Sequence, residues 1–212
     1  MLTAILLGFG LGLRHAFDPD HTVAVSAIAA RHRNPWVASW IGVSWGIGHG
    51  ATLLLVGLAV IALGVVIPEA LAEWLELCVG VALMGLGAVN VLAAAESVEQ
   101  TGGEPALRSA LARSGLVGLL HGLAGSGAVA LLAVTSMPDP AAAVAYLAVF
   151  GAGTIGGMVA FSCALGVPFA RIGAAGAARR WVSVGTGTLS LLVGAYLVCA
   201  MIYAQGILPL VS

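Results

Sequence analysis

The sequence predicts an all-α polytopic membrane protein with about six transmembrane helices. Of its 212 residues, 60% are hydrophobic and only 8% are charged, whereas soluble globular domains carry about 25% charged residues. Its 30 glycines suit helices that pack closely within a bilayer. A helical span needs about 20 apolar residues, so six spans leave no room for a soluble domain. We therefore predict a single transmembrane domain over residues 1–212.

Charged or proline-rich breaks separate the apolar segments of the chain. The predicted spans are Leu2–Ala30, Trp36–Ile67, Leu71–Ala95, Gly115–Met137, Ala141–Val167 and Val182–Leu208. The longest break, residues 96–114, is predicted to be a cytoplasmic loop. Within the first span, Pro19 disfavours helical geometry at Asp18. We therefore expect a local unwinding near Asp18–Asp20 that turns both aspartates inward.

The distribution of arginine predicts the orientation in the membrane. The first, third and fifth breaks contain Arg31, Arg33, Arg108, Arg113, Arg171, Arg179 and Arg180. The second and fourth breaks, with their flanks, contain only the acidic residues Glu69, Glu73, Glu76 and Asp139. By the positive-inside rule, the odd-numbered breaks face the cytoplasm and both termini face outward. Arg14 lies inside a span instead, which makes it a candidate functional residue.

The two halves of the chain resemble one another. Gly12-Leu13-Arg14-His15 in span one has a counterpart, 106 residues later, in Gly118-Leu119-Leu120-His121 of span four. The glycine-rich residues 46–50 of span two likewise correspond to residues 151–157 of span five. Three spans per repeat force opposite orientations, the inverted-repeat arrangement of many transporters. We predict repeat one over about 1–95 and repeat two over about 115–212.

The first span contains five ionisable residues within eight positions. They are Arg14, His15, Asp18, Asp20 and His21. A charge at the bilayer centre costs at least about 2.5–3.5 kcal/mol, so these groups need one another or an ion in the protein interior. Two imidazoles and two carboxylates suit divalent nickel, cobalt, zinc or iron, and not copper(I). The alternative is that the groups only pair with one another to pack the bundle.

Two histidines in other spans extend this candidate site. His49 stands between Gly48 and Gly50, and the glycines allow a close approach to span one, so we predict that His49 is a metal ligand. For His121, the roles of ligand, proton relay and structural residue are equally compatible with the sequence. The remaining candidates for the pathway or its surroundings are Arg14, Thr22, Trp45, Thr52 and Ser126.

Three motifs resemble those of the nickel/cobalt transporter family. The stretch Arg14-His15-Ala16-Phe17-Asp18-Pro19-Asp20-His21 resembles the family's RHA-x-D-x-DH signature. Gly48-His49-Gly50 resembles its second motif, and residues 120–126 resemble a His-Gly-Leu-Ala-Gly-Ser stretch of its short, urease-accessory-type branch. The resemblance implies a six-helix carrier without a cofactor. It also implies metal contacts from His15, Asp18, Asp20, His21 and His49.

These observations predict a secondary transporter, and not an enzyme, for divalent nickel or cobalt in a bacterial or archaeal inner membrane. Uptake through a His/Asp site at the midplane is favoured, with Arg14 pairing with an aspartate before the ion binds. The alternatives are an exporter, a non-transporting metal-binding accessory protein and an intramembrane metal hydrolase. The expected partners are the ion and membrane lipid, without nucleic acid. A homo-oligomer and a link to a nickel enzyme such as urease are further candidates.

Overall fold

A computed structural model describes residues 2–32, 34–64, 67–95, 104–124, 134, 137, 139–172 and 176–204. The regular structure of these residues is entirely helical. The helices are α1 (Leu2–His15), α2 (Pro19–Ala29), α3 (Pro35–Leu63), α4 (Glu69–Ala95), α5 (Glu104–Leu123), α6 (Pro140–Ile172) and α7 (Gly176–Ala204).

Among the described residues, four helices are long and apolar enough to cross a membrane. Helices α3, α4, α6 and α7 contain the apolar segments Trp36–Leu63, Ala70–Ala94, Pro140–Phe169 and Arg180–Tyr203. Their outer faces expose large apolar side chains such as Leu55, Leu92 and Leu192, which suits contact with lipid. The described residues therefore confirm an all-helical architecture with four helices that could span a membrane, and the count of six spans stays a prediction.

The first predicted span consists of two half-length helices. Helix α1 ends at His15, and α2 begins at Pro19 after Asp18, whose backbone is extended (φ −59°, ψ 142°). Proline is favourable at the first position of a helix, because the N–H that it lacks would have no intrahelical partner there. The unwound residues are therefore 16–18 instead of the expected 18–20. Asp20 lies in the first turn of α2, where the helix dipole favours a carboxylate.

Several other boundaries differ from the sequence-based expectations. Helix α5 begins at Glu104, so residues 104–114 are helical although we expected a loop there. The stretch is rich in alanine, leucine and arginine, which are strong helix formers, and its arginines are part of a polar helix end. Helix α7 likewise begins at Gly176 and not at Val182. Most of the predicted fourth span beyond Leu123 lies outside the described residues.

Helix α2 occupies the centre of the bundle. It packs against α3, α4, α5, α6 and α7, and seven of its eleven residues are buried. The Asn90 side chain of α4 donates a hydrogen bond to the Ala27 carbonyl of α2, at 2.6 Å. Because the last carbonyls of a helix have no partner within it, this bond stabilises the end of α2. The motif-bearing start of α2 is thereby held inside the protein.

Glycines allow the helix backbones to touch. A Cβ at Gly12 of α1 would overlap the Phe150 carbonyl of α6, and a Cβ at Gly118 of α5 would overlap the Trp45 carbonyl of α3. Such small residues bring membrane helices close enough for dispersion contacts to hold them together. The two contacts place α1 and α5 on either side of the α3–α6 pair.

Candidate metal centre

Three imidazoles meet at the break between α1 and α2. His15 is the last residue of α1, His21 lies in the first turn of α2, and His49 lies midway along α3. All three side chains are buried, with 8%, 0% and 0% of their surface exposed. One ligand nitrogen from each lies within 4.8 Å of the others. We call these three residues the histidine cluster.

Hydrogen bonds orient two of the imidazoles toward the centre of the cluster. The Nδ1 of His15 donates to the Asp18 carboxylate at 2.8 Å, and the Nδ1 of His21 donates to the His15 carbonyl at 3.0 Å. A neutral imidazole that donates through Nδ1 keeps its lone pair on Nε2. His15 and His21 therefore present Nε2 as a ligand atom.

The spacing of the ligand atoms suits one transition-metal ion. The Nε2 atoms of His15 and His49 are 3.2 Å apart. An ion about 2.0–2.1 Å from both, as zinc is from histidine, would subtend an angle of roughly 100°. Within the described part of the chain, His21 Nε2 and His49 Nδ1 are buried without a hydrogen-bond partner. Such orphaned atoms cost about 1–3 kcal/mol each, and an ion at His21 Nε2 removes that penalty.

Asp20 connects the histidine cluster to a fourth imidazole. One carboxylate oxygen of Asp20 lies 3.5 Å from His21 Nε2 and 3.8 Å from His121 Nε2. His121 comes from α5 and is fully buried, and its Nδ1 donates to the Val117 carbonyl at 2.8 Å. Ligand atoms of Asp18, Asp20 and His21 form a second group within 4.8 Å. The arrangement can hold a divalent cation among both nitrogen and oxygen donors.

The sequence is 35% identical over 179 residues to the urease accessory protein UreH of Bacillus sp. (strain TB-90), and the alignment covers 80% of this chain and 78% of that protein. The chain belongs to the UreH family. The printed name describes that relative as an accessory protein and not as an enzyme.

Two chloroplast proteins of Arabidopsis thaliana are more distant relatives of this UreH-family chain. FOR GROWTH AND FERTILITY 2 and FOR GROWTH AND FERTILITY 1 are each 26% identical to it, over 178 and 183 residues. Both alignments cover 78% of this chain but only 48% and 50% of the two relatives, so the chain spans about half of their length. No protein-family model matches the chain. No solved structure matches it either.

The two aspartates of the motif differ in exposure. The side chain of Asp18 is 43% exposed and that of Asp20 is 19% exposed. The prediction that both aspartate side chains turn inward therefore fits Asp20 better than Asp18. Asp18 contacts the cluster through His15 Nδ1. A carboxylate on the distal nitrogen of a ligating histidine fixes the ring orientation and makes the ligand more basic.

Trp45, a predicted pathway residue, contacts two rings of the histidine cluster. Its side chain is fully buried and stacks on the His49 ring, with centroids 4.9 Å apart and planes 9° from parallel. The His21 ring meets Trp45 edge-on, with centroids 4.5 Å apart. Trp45 therefore closes one side of the cluster with an apolar wall and restricts the ring of His49.

The remaining predicted pathway residues are Arg14, Thr22, Thr52 and Ser126. Arg14 is exposed, and its pairing with an aspartate stays a prediction. The Thr22 hydroxyl donates to the Asp18 and Pro19 carbonyls, and the Thr52 hydroxyl donates to the Gly48 carbonyl. Both hydroxyls are thus bonded to their own stretch of backbone. Ser126 lies outside the described residues.

Phe150 of α6 is a cluster neighbour that we did not single out from the sequence. Its ring centroid lies 5.3 Å from that of His15. A signal for it exists, because Phe150 immediately precedes the glycine-rich residues 151–157 as Trp45 precedes residues 46–50. The two aromatic rings occupy corresponding places in the two halves of the sequence.

Proposed function

We propose that this protein is a secondary transporter that moves divalent nickel or cobalt across a bacterial or archaeal inner membrane, in the direction of uptake. The observation that carries the proposal is the meeting of three buried imidazoles in a bundle of apolar helices. Nitrogen donors favour nickel and cobalt, whereas magnesium and calcium prefer shells of oxygen. The name of the Bacillus relative supports a link to urease.

In this proposal, the ion is held by His15, His21 and His49, and the two aspartates have separate roles. Asp18 orients His15, and Asp20 offsets the charge of the ion beside His21 and His121. An inside-negative potential drives a dication inward by about 4.6 kcal/mol per 100 mV, twice the value for a single charge. Uptake therefore needs no nucleotide hydrolysis.

We further propose six spans in two inverted three-helix repeats, with α1 and α2 forming the first span. The support is that each glycine contact recurs when 105–107 residues are added to one partner and subtracted from the other. The corresponding pairs are Gly12–Phe150 and Gly118–Trp45, Phe9–Gly153 and Gly115–Gly48, and Gly80–Gly194 and Gly187–Gly87. In each pair of contacts, the halves exchange partners, as repeats related by a twofold axis do.

The aromatic contacts of the histidines follow the same exchange. His15 lies 5.3 Å from the ring of Phe150, and His121 lies 5.6 Å from the ring of Trp45. Movement of one repeat against the other about a fixed central site is how many inverted-repeat carriers alternate access. In this proposal, the histidine cluster is built from repeat one and faces repeat two, because His15 lies against Phe150 of α6 and His21 lies against His121 of α5.

A non-transporting metal-binding accessory protein is the second candidate, because the Bacillus relative is named as an accessory protein. An exporter and an intramembrane metal hydrolase are two further candidates.

Radioactive nickel and cobalt flux into sealed proteoliposomes, with an imposed inside-negative potential, separates the transporter from the accessory protein and the exporter. The transporter gives saturable flux above that of protein-free vesicles. An accessory protein binds the ion in detergent and gives no flux, and an exporter gives flux only when the gradient and orientation favour exit.

Asp18→Asn is expected to weaken nickel binding in detergent by about 10–100-fold, the usual effect of removing a carboxylate partner from a ligating histidine. The Asp18 side chain makes no capping hydrogen bond to α2, so the start of that helix should remain intact. Equilibrium dialysis measures the dissociation constant. Asp139→Asn, which removes an exposed carboxylate far along the chain, should bind like the wild type. Equal affinities for all three proteins would exclude the proposed role of Asp18.

A further inference from the structure

A second, apolar cluster lies beside the histidine cluster, where α3 and α6 pack together. Its largest side chains are Leu53 of α3 and Tyr146, Leu147 and Phe150 of α6, and each is at most 5% exposed. We call these four residues the apolar seal. The Phe150 ring joins the two clusters, because its centroid lies 5.3 Å from that of His15 and 6.4 Å from that of Tyr146. The apolar seal therefore covers the His15 side of the metal centre.

Contacts along α1 show on which side of the histidine cluster the apolar seal lies. Gly8 lies against the Tyr146 ring, and Gly12 lies against the Phe150 carbonyl, so α1 and α6 run side by side in the same direction. His15 follows these glycines as the last residue of α1. The apolar seal is therefore placed between the histidine cluster and the start of α1.

The other side of the histidine cluster is polar and more open. Asp18 and Asp20 follow His15 beyond the break, and their side chains are more exposed than those of the apolar seal. On α3, Leu53 lies one turn beyond His49 on the same helix face. An ion at the histidines thus faces carboxylates in one direction and closely packed apolar side chains in the other.

One polar atom is buried within the apolar seal. The Tyr146 hydroxyl has no hydrogen-bond partner in the described part of the chain, although its side chain is almost fully buried. A buried polar group without a partner destabilises the conformation that buries it. Phenylalanine would fill the same space without this penalty. The hydroxyl therefore favours a conformation in which the apolar seal parts and the oxygen meets water or an ion.

We propose that the apolar seal is a gate, which closes the histidine cluster toward the start of α1 and opens to let the ion pass along the Tyr146 hydroxyl. This inference rests on the proposed function and adds a gate to it. Hydrophobic constrictions close a pathway because they exclude the water that an ion carries. Separation of α3 from α6 opens the gate, since α3 contributes Leu53 and α6 contributes the other three side chains. The described conformation is the closed one.

Tyr146→Phe distinguishes a gate from ordinary packing, because it should change stability and transport in opposite directions. Loss of the unpartnered hydroxyl should raise the thermal unfolding midpoint in detergent by about 2–4 °C. Radioactive nickel flux into sealed proteoliposomes should fall by about fivefold, because the closed gate no longer buries an unsatisfied group. The nickel affinity in detergent should equal that of the wild type, since the ring stays in place against Phe150.

Leu147→Ala tests the same gate through its bulk. The smaller side chain should let the gate leak, so that nickel flux gains a component that does not saturate. Leu55→Ala is the matched control, because it shortens a leucine of α3 that is exposed outside the apolar seal, and its flux should saturate like that of the wild type.

Two results would overturn the gate and leave the proposed function standing. One is a Tyr146→Phe variant whose midpoint is unchanged or lower, or whose flux equals that of the wild type. The other is a folded Leu147→Ala variant whose flux saturates like that of Leu55→Ala. Absence of nickel flux in the wild type would overturn the proposed function itself, and the gate with it.

Discussion

His49→Ala should reduce the affinity for nickel in detergent by more than about 100-fold. Loss of the carboxylate partner of a ligating histidine costs about 10–100-fold, and loss of the ligand itself should cost more. The substitution removes one of three clustered nitrogens, including the Nε2 that lies 3.2 Å from His15 Nε2. It also removes the ring on which Trp45 stacks, so the remaining imidazoles lose part of their wall. Isothermal titration with Ni²⁺ measures the change.

His32→Ala is the control for His49→Ala. It removes an imidazole from the connection between α2 and α3, outside the histidine cluster, and it should bind nickel like the wild type. The thermal unfolding midpoints of both variants in detergent show whether each is folded. A folded His49→Ala variant with wild-type affinity would mean that nickel binds elsewhere in the protein.

Gly12→Ala should strongly destabilise the bundle, whereas Gly10→Ala on the same helix should not. A Cβ at Gly12 would overlap the Phe150 carbonyl of α6, and a Cβ at Gly10 meets no heavy atom of the described residues within 4 Å. Overpacking a core costs about 1–3 kcal/mol and sometimes more, and a backbone carbonyl cannot rotate away as a side chain can. We expect the upper end of that range, because α1 and α6 must separate.

The unfolding midpoints of the two glycine variants in detergent measure the difference. Gly10→Ala should be neutral or slightly stabilising, because alanine is the better helix former by about 1 kcal/mol. Gly118→Ala, at the corresponding contact with the Trp45 carbonyl, should resemble Gly12→Ala. Equal midpoints for Gly10→Ala and Gly12→Ala would show that α1 does not pack on α6 as closely as described.

The sequence could predict the position of the candidate site because ionisable residues stand out within the apolar first span. His15, His21 and His49 were expected to lie together, and the structure brings them together; their binding of metal stays a prediction. Pro19 correctly indicated a broken helix. The break falls at residues 16–18 because proline is most favourable at the first position of the next helix. The prediction from the sequence did not apply this preference to Pro19.

Several features could not be read from hydropathy. The start of α5 at Glu104 was missed because charged residues suggest a loop, although alanine, leucine and arginine form helices well. Phe150 was missed although its counterpart Trp45 was chosen. Applying the repeat to every candidate residue would have identified it.

X-ray absorption spectroscopy at the nickel edge is the most direct test of the central claim, that His15, His21 and His49 hold one ion together. The nickel-loaded wild type should show about three imidazole ligands with nitrogens at about 2.0–2.1 Å, the bond length typical of histidine on a first-row ion. His49→Ala, loaded at higher nickel concentration, should show one imidazole fewer. A wild-type shell made only of oxygen, without the outer scattering of imidazole rings, would contradict the account.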